Sequence, residues 1–320
     1  MTNLTRREVI RRTAGATALG LAGALTSSRM LLAGTAKETG FFRYQIGDIR
    51  CTALYDGIWR KDHAEGFILN ASVDDTRDAL AKGGLAPDHV TIEFAQTLLE
   101  MGGRTVLIDP GTGGQWVPTA GSMLDHMTAS GLHPRDIDTI LISHFHPDHI
   151  FGLMEPETNA QVFPDSEIIV PAAEYDFWTD PQIFSKLPEG WRGLAQRIQA
   201  TFPNWPNVSR VMHDIEVLPG IRSLATPGHT PGHTAYHISS GRSELIVAGD
   251  IAITPALFVA NPGWHITFDA DPELAETTRR QLFDRVVTDD IFIAGYHFGF
   301  PNVGRMVADG AGYALERLTT

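Results

Sequence analysis

From Tyr44 onward the chain alternates apolar runs with polar, glycine-rich punctuation. The stretch "YQIGDIRCTALYDG" alternates in polarity and closes on Asp-Gly, which predicts a strand and a turn. In "SVDDTRDALAKGG", Ser72 is placed to cap a short helix and Gly83 to stop it. "TIEFAQTLLEMGGRTVLIDPGTG" predicts two strands, Thr91–Glu100 and Arg104–Asp109, around a Gly-Gly turn. "GSMLDHMTASGLHPRDID" reads as a helix up to Ser130, stopped by Gly131, and "TILISH" as a buried strand. "SEIIVPAAEYDFW" is a strand followed by the start of a helix. The Pro- and aromatic-rich region from Pro181 to Pro206 reads as an insertion with a helical middle, "GLAQRIQATF". "SLATPGHT", "TAYHISS" and "ELIVAGD" are strand-like, with polar residues at their ends. "DPELAETTRRQLFDRVV" is the clearest amphipathic helix, with Leu274, Leu282, Phe283 and Val286 near helical spacing, and "DIFIAGYHFGF" is a last strand running into His297. Strands with helices between them in both halves predict an α/β layered domain.

Charge and composition narrow the partners. Asp and Glu number 38 against 25 Lys and Arg, so the net charge is -13, which argues against a nucleic-acid partner. Cys51 is the one cysteine; it forms no intramolecular disulfide and no thiolate cluster, and it reads as a small buried residue of its strand. The first residues follow another logic. Arg6 and Arg7 precede an apolar, small-residue stretch from Ala14 to Leu25, and "LLAGTA" offers a cleavage site near Ala36. This pattern is similar to a twin-arginine export signal, which assigns residues 1–36 to targeting and the mature chain to the periplasm or the exterior. The stretch is too short and too rich in Gly and Ala for stable membrane insertion.

The chemistry concentrates at strand ends. "LISHFHPDHIFG" places His144, His146, Asp148 and His149 directly after an apolar strand. His144 and His146 are two apart, so in extended backbone they point the same way, and Pro147 stiffens the turn that follows. Imidazole and carboxylate suit zinc and similar divalent ions. One tetrahedral site cannot use all four groups and stay open, so the spacing favours two neighbouring metals. Three further ligand-type residues end other strands in the same way: His229 in "TPGHTPGH", Asp250 in "IVAGD" and His297 in "IAGYH".

In the order "LIDPGTG", "SHFHPDH", "TPGHTPGH", "AGD", "AGYH", these pieces resemble the metallo-β-lactamase superfamily of hydrolases. The resemblance implies a four-layer αββα sandwich for residues 37–320, with the metals at one edge between two sheets. It assigns His144, His146 and His229 to one metal and Asp148, His149 and His297 to the other, with Asp250 bridging. Asp109 would orient a ligand histidine, and His233 would support its loop by hydrogen bonding. The expected cofactors are two divalent ions, zinc first, with manganese, cobalt or iron also accommodated. Two cations about 3.5–4 Å apart can share a hydroxide that attacks an electrophilic carbon or phosphorus, with Asp148 and Asp250 as the carboxylates of the catalytic centre.

Within the superfamily the texture is most similar to methyl parathion hydrolase and to acyl-homoserine-lactone lactonases: "ALYDG", "HPDHIFGLM", "VFPDSEIIVPAAEYDFW", "VLPGIRSLATPGHTPGHT" and "FPNVGR". Those lactonases carry a tyrosine three residues after the bridging aspartate, where this chain has Ile253. Tyr296 beside His297 is expected to point away from the metals by strand alternation. Trp116, Phe177, Trp178, Leu257 and Phe258 are expected to line an apolar pocket. The implied substrate is a small neutral ester: a lactone, an aryl ester or an organophosphate triester. The alternatives are a glyoxalase-II-like thioesterase and a non-catalytic periplasmic metal-binding protein. Relatives are often dimers, which leaves a homodimer open.

Overall fold

The computed structural model describes residues 39–319; the expected export segment lies outside them. The chain forms two mixed seven-stranded sheets with helices, an αββα sandwich. In the first sheet, β1 (Phe41–Ile46), β2 (Ile49–Asp62), β3 (His89–Met101) and β4 (Arg104–Ile108) run antiparallel in chain order. β5 (Thr139–Leu141), β6 (Glu167–Pro171) and β7 (Val208–Val211) then add in parallel. The second sheet runs from β8 (Glu216–Leu218) through β9 (Ile221–Ala225), β10 (Thr234–Ser240), β11 (Ser243–Val247), β12 (Phe292–Ala294) and β13 (Val303–Asp309) to β14 (Gly312–Arg317). Only β11 and β12 pair in parallel there.

"YQIGDIRCTALYDG" is not one strand and a turn. The chain turns at Gly47–Asp48, and β2 continues through Asp56-Gly57 to Asp62. Gly57 absorbs the expected break as a bulge, where the register against β3 shifts. A side chain there would strike Thr119 and Ala120, whose backbone closes on this point. The apolar runs of the central parallel strands are buried without alternation: Val106 to Ile108 and Ile140 to Ile142 are each 2% exposed or less.

Helices cover both faces. α1 (Val73–Lys82) starts at Ser72 with a reciprocal capping box to Asp75 and stops at Gly83. It packs with α6 (Pro255–Phe258) and α7 (Pro272–Thr288) beside the second sheet, where Leu80, Leu257, Phe283 and Val286 meet Ile246 and Ile293. In α7, Leu282, Phe283 and Val286 are buried as their spacing predicts, but Leu274 in the first turn is 39% exposed. On the first sheet, α2 (Met123–Ala129), α4 (Ala172–Thr179) and α5 (Glu189–Thr201) bury Met127, Trp178 and Ile198 against Leu98, Leu107 and Ile140. A short helix, α3 (Pro147–Ile150), carries the centre of the histidine motif. No described helix is long and apolar enough to cross a membrane.

Candidate metal centre

The residues that end strands in the sequence converge at one edge between the sheets. β5 delivers Ser143 and His144, and the loop entering α3 delivers His146, Asp148 and His149. β9 leads to His229, β11 to Asp250 and β12 to His297. Ligand atoms of His144, His146 and His229 lie within 4.8 Å of one another, and so do those of Asp148, His149, Asp250 and His297. Asp250 stands between the groups. Its Oδ2 is 4.0 Å from His144 Nε2, 3.4 Å from His229 Nε2 and 3.0 Å from His297 Nε2, while its Oδ1 is 3.1 Å from His149 Nε2. Asp148 Oδ2 faces His149 Nε2 at 3.5 Å and His297 Nε2 at 3.4 Å.

Three of the rings are aimed by their other nitrogen. His149 Nδ1 donates to Asp109 Oδ2 at 2.8 Å, and His229 Nδ1 donates to Asp269 Oδ1 at 2.9 Å. His297 Nδ1 donates to the Glu93 carbonyl at 2.9 Å. Such partners fix the tautomer and leave Nε2 free to face the centre. Asp109 also accepts from Ser143 N and Ser143 Oγ, so it spans the ends of two adjacent strands. His233 is turned away from the cluster. Its Nε2 accepts the Asp250 N–H at 3.0 Å, and its Nδ1 meets Thr226. Burial holds His233 down to about 3, so it stays neutral and can accept that bond.

The electrostatics divide the site. Burial, joined by neighbouring imidazoles, pushes His144 and His146 well below the usual histidine range. Burial also opposes charge on His149 and His297, but the Asp250 and Asp148 carboxylates outweigh it and hold both above that range, His297 at about 9. The same imidazoles hold Asp250 well below the usual carboxylate range against its own desolvation.

This donor set fits divalent cations. His144 Nε2 is buried with no hydrogen-bond partner, an arrangement that costs about 1–3 kcal/mol unless a further charge satisfies it, and His149 Nε2 and Asp250 Oδ1 face only each other, at 3.1 Å. Five imidazoles and two carboxylates match the nitrogen and oxygen preferences of zinc and its neighbours, and they fall into two groups of metal-ligating residues.

Beside the cluster opens a cleft walled by Trp59, Ile92, Phe94, Trp116, Trp191, Ile253 and Phe268. Of the expected pocket residues, Trp116 lines it. Leu257 and Phe258 are fully buried, because α6 turns them into the core. Phe177 is half-buried against the core of the first sheet. Trp178 is 2% exposed and sits behind His146, with ring centroids 6.4 Å apart. In the sequence Phe177 and Trp178 follow a strand end and Leu257 and Phe258 lie on the loop after Asp250, but their helices turn Trp178, Leu257 and Phe258 into the core and lay Phe177 against it. Trp191 of α5 takes the position facing His146, at 4.8 Å. Arg197, two turns along the same helix, donates to Gln115 Oε1, fastening the loop that carries Trp116. Tyr296 lies outside the cleft lining: its ring packs 4.0 Å from that of His149, and its hydroxyl donates to the Asp148 carbonyl. Asp269 was not among the expected residues; it sits in a loop whose only motif is the cap of α7.

A model of the metallo-beta-lactamase superfamily matches residues 95–293. Among curated proteins, metallo-beta-lactamase domain-containing protein 1 of Xenopus laevis is 26% identical over 62% of this chain and 69% of its own length. Among solved structures, AidC, a dizinc quorum-quenching lactonase, superposes with a TM-score of 0.82 at 23% identity, covering 88% of this chain and 98% of AidC. AbOPH, a hydrolase in the beta lactamase superfamily, superposes at 0.81 with 27% identity, covering 88% and 98%. The sheets, the strand-end cluster and the family match agree: the chain belongs to the metallo-beta-lactamase superfamily and is a metal-dependent hydrolase.

Proposed function

We propose that the chain hydrolyses small neutral esters, aryl esters and lactones first, with organophosphate triesters as related substrates, using two divalent cations. His144, His146 and His229 would hold one ion, and Asp148, His149 and His297 the other, with Asp250 shared. When bound, such ions lower the pKa of water towards 7 and polarise a carbonyl or phosphoryl oxygen. Zinc suits the ligands best, and manganese, cobalt and iron are compatible. The observation that carries the reading is Asp250, whose two oxygens lie 3.0 to 4.0 Å from ring nitrogens of both groups.

The cleft supplies binding and orientation. No Lys or Arg lines it, and its apolar walls suit an aryl or short acyl group. Ile253 in the lining offers no proton, and no Ser, Thr or Tyr lines the cleft. A departing oxygen must therefore leave without help from a side-chain hydroxyl, which favours phenol-like leaving groups. Among the structural neighbours the lactonase AidC makes a lactone a necessary comparison.

Chelator-stripped protein reloaded with zinc, manganese or cobalt is offered p-nitrophenyl acetate, dihydrocoumarin, an acyl-homoserine lactone and methyl paraoxon. Metal-dependent turnover is expected, fastest on the aryl substrates. Two bound ions with no turnover of any of the four would make the chain a metal-binding protein instead. The reading includes export through the Arg6–Arg7 segment. Periplasmic recovery of a chain beginning near Lys37, abolished by Arg6→Lys with Arg7→Lys, tests that separately.

A further inference from the structure

Glu174 is a carboxylate without a cation. It sits in the first turn of α4, fully buried, and accepts four hydrogen bonds. Oε1 takes Phe145 N at 3.0 Å and Trp178 Nε1 at 2.7 Å; Oε2 takes Thr230 Oγ1 at 2.7 Å and Gly232 N at 3.0 Å. The donors come from three places that matter. Phe145 lies between His144 and His146, Thr230 follows His229, and the Trp178 indole backs the His146 ring. One side chain thus ties the segment carrying two imidazoles of the three-histidine group to the segment carrying the third. Gly232 records how close the approach is: a Cβ there would come within 2.1 Å of the Glu174 backbone nitrogen. Leaving a charge-capable group in this interior costs stability, and an apolar residue of similar size could fill the same space. A set of four aimed donors is the signature of a group retained for geometry.

We propose that Glu174 is the positioning residue of the three-histidine half of the metal centre, setting the spacing between the His144–His146 loop and the His229 loop. It does not touch the ions or the substrate. The inference rests on the two-ion reading above. The other half does not depend on it, because His149 is aimed by Asp109 and His297 by the Glu93 carbonyl.

Glu174→Gln tests this sharply. Each carboxylate oxygen serves one backbone N–H, which cannot rotate away, so either orientation of the amide sets an N–H against an N–H. Full-length protein, stripped of metal, is titrated with cobalt(II) alone. Stoichiometry is read by native mass spectrometry, ligand environment by visible absorption, and folding by circular dichroism. His229→Ala and His297→Ala provide reference spectra for loss of each half. The expected result is that Glu174→Gln takes up one equivalent as the wild type does and the other about tenfold or more weakly. The residual spectrum should match that of His229→Ala. Wild-type uptake of both equivalents, or equal weakening of both in folded protein, overturns the proposal. If Glu174→Gln does not fold, Thr230→Val decides. It removes one donor and keeps three, and it should weaken the same equivalent alone; an unchanged titration or a change in the other half counts against the role. A wild-type chain that binds no cobalt would instead refute the two-ion reading.

Discussion

His149 and His229 are held in the same way by carboxylates that are built differently. Asp109 and Asp269 accept the ring Nδ1–H at 2.8 and 2.9 Å. Asp109 ends β4, adopts a left-handed φ of 56°, and takes its remaining bonds from Ser143 at the end of the neighbouring strand. No Lys or Arg stands beside it; apart from His149, its support is neutral and local to the sheet. Asp269 lies in the loop between α6 and α7, and behind it stands Arg279, 1% exposed. Arg279 Nη2 is 3.4 Å from Asp269 Oδ2, while its other nitrogens donate to the carbonyls of Ile251, Pro262 and Trp264. A strand end can orient a ligand with hydrogen bonds alone. A loop needs a charged strut, and that strut also fastens the segment carrying Ile253 and Phe268, two walls of the cleft.

The comparison can be broken at its centre first. Asp250→Asn removes the group both halves share, and hydrolysis of p-nitrophenyl acetate should fall by orders of magnitude with loss of bound metal; retained activity would mean the halves work separately. Asp269→Asn should come next. It strands a buried guanidinium, at about 3–5 kcal/mol of stability, visible as a lower urea midpoint, together with weaker metal in the three-histidine half. Asp109→Asn should weaken metal binding in the other half by about 10–100-fold with a smaller loss of stability, since no buried guanidinium is abandoned. Equal stability losses in these two variants would show that Arg279 is not the difference. The smallest effect is expected for His233→Ala, which removes an acceptor from the Asp250 backbone N–H but no ligand. Elemental analysis should still return close to two ions per chain.

The same contrast explains what the sequence discloses. Asp109 is legible because it closes an apolar run, "TVLIDPG", and the seven clustered side chains are legible for the same reason: each sits where a buried strand meets a turn. Asp269 and Glu174 give no such signal, since a carboxylate in a loop or a first helical turn looks like a capping group. Pocket walls are less legible still. Phe177 and Trp178 are at the right edge of the sheet, but helix rotation decides which side chain faces the cleft, and it selects Trp191. Trp59 lies in the part of β2 beyond Gly57, where Asp56-Gly57 reads as a turn until the bulge is seen. The β13–β14 hairpin carries its own sign in the sequence, Asp309-Gly310 following an alternating run.

The cluster draws His144, His146, Asp148 and His149 from the first sheet and His229, Asp250 and His297 from the second. An ion seated there is a rivet through both halves of the sandwich, and each one lends the native state about 2.7 kcal/mol when free metal stands a hundredfold above its Kd. Chelation should therefore do more than silence the enzyme: it should lower the melting temperature and allow the two sheets to part in separate steps, a loss of cooperativity that calorimetry would register as two overlapping transitions in place of one.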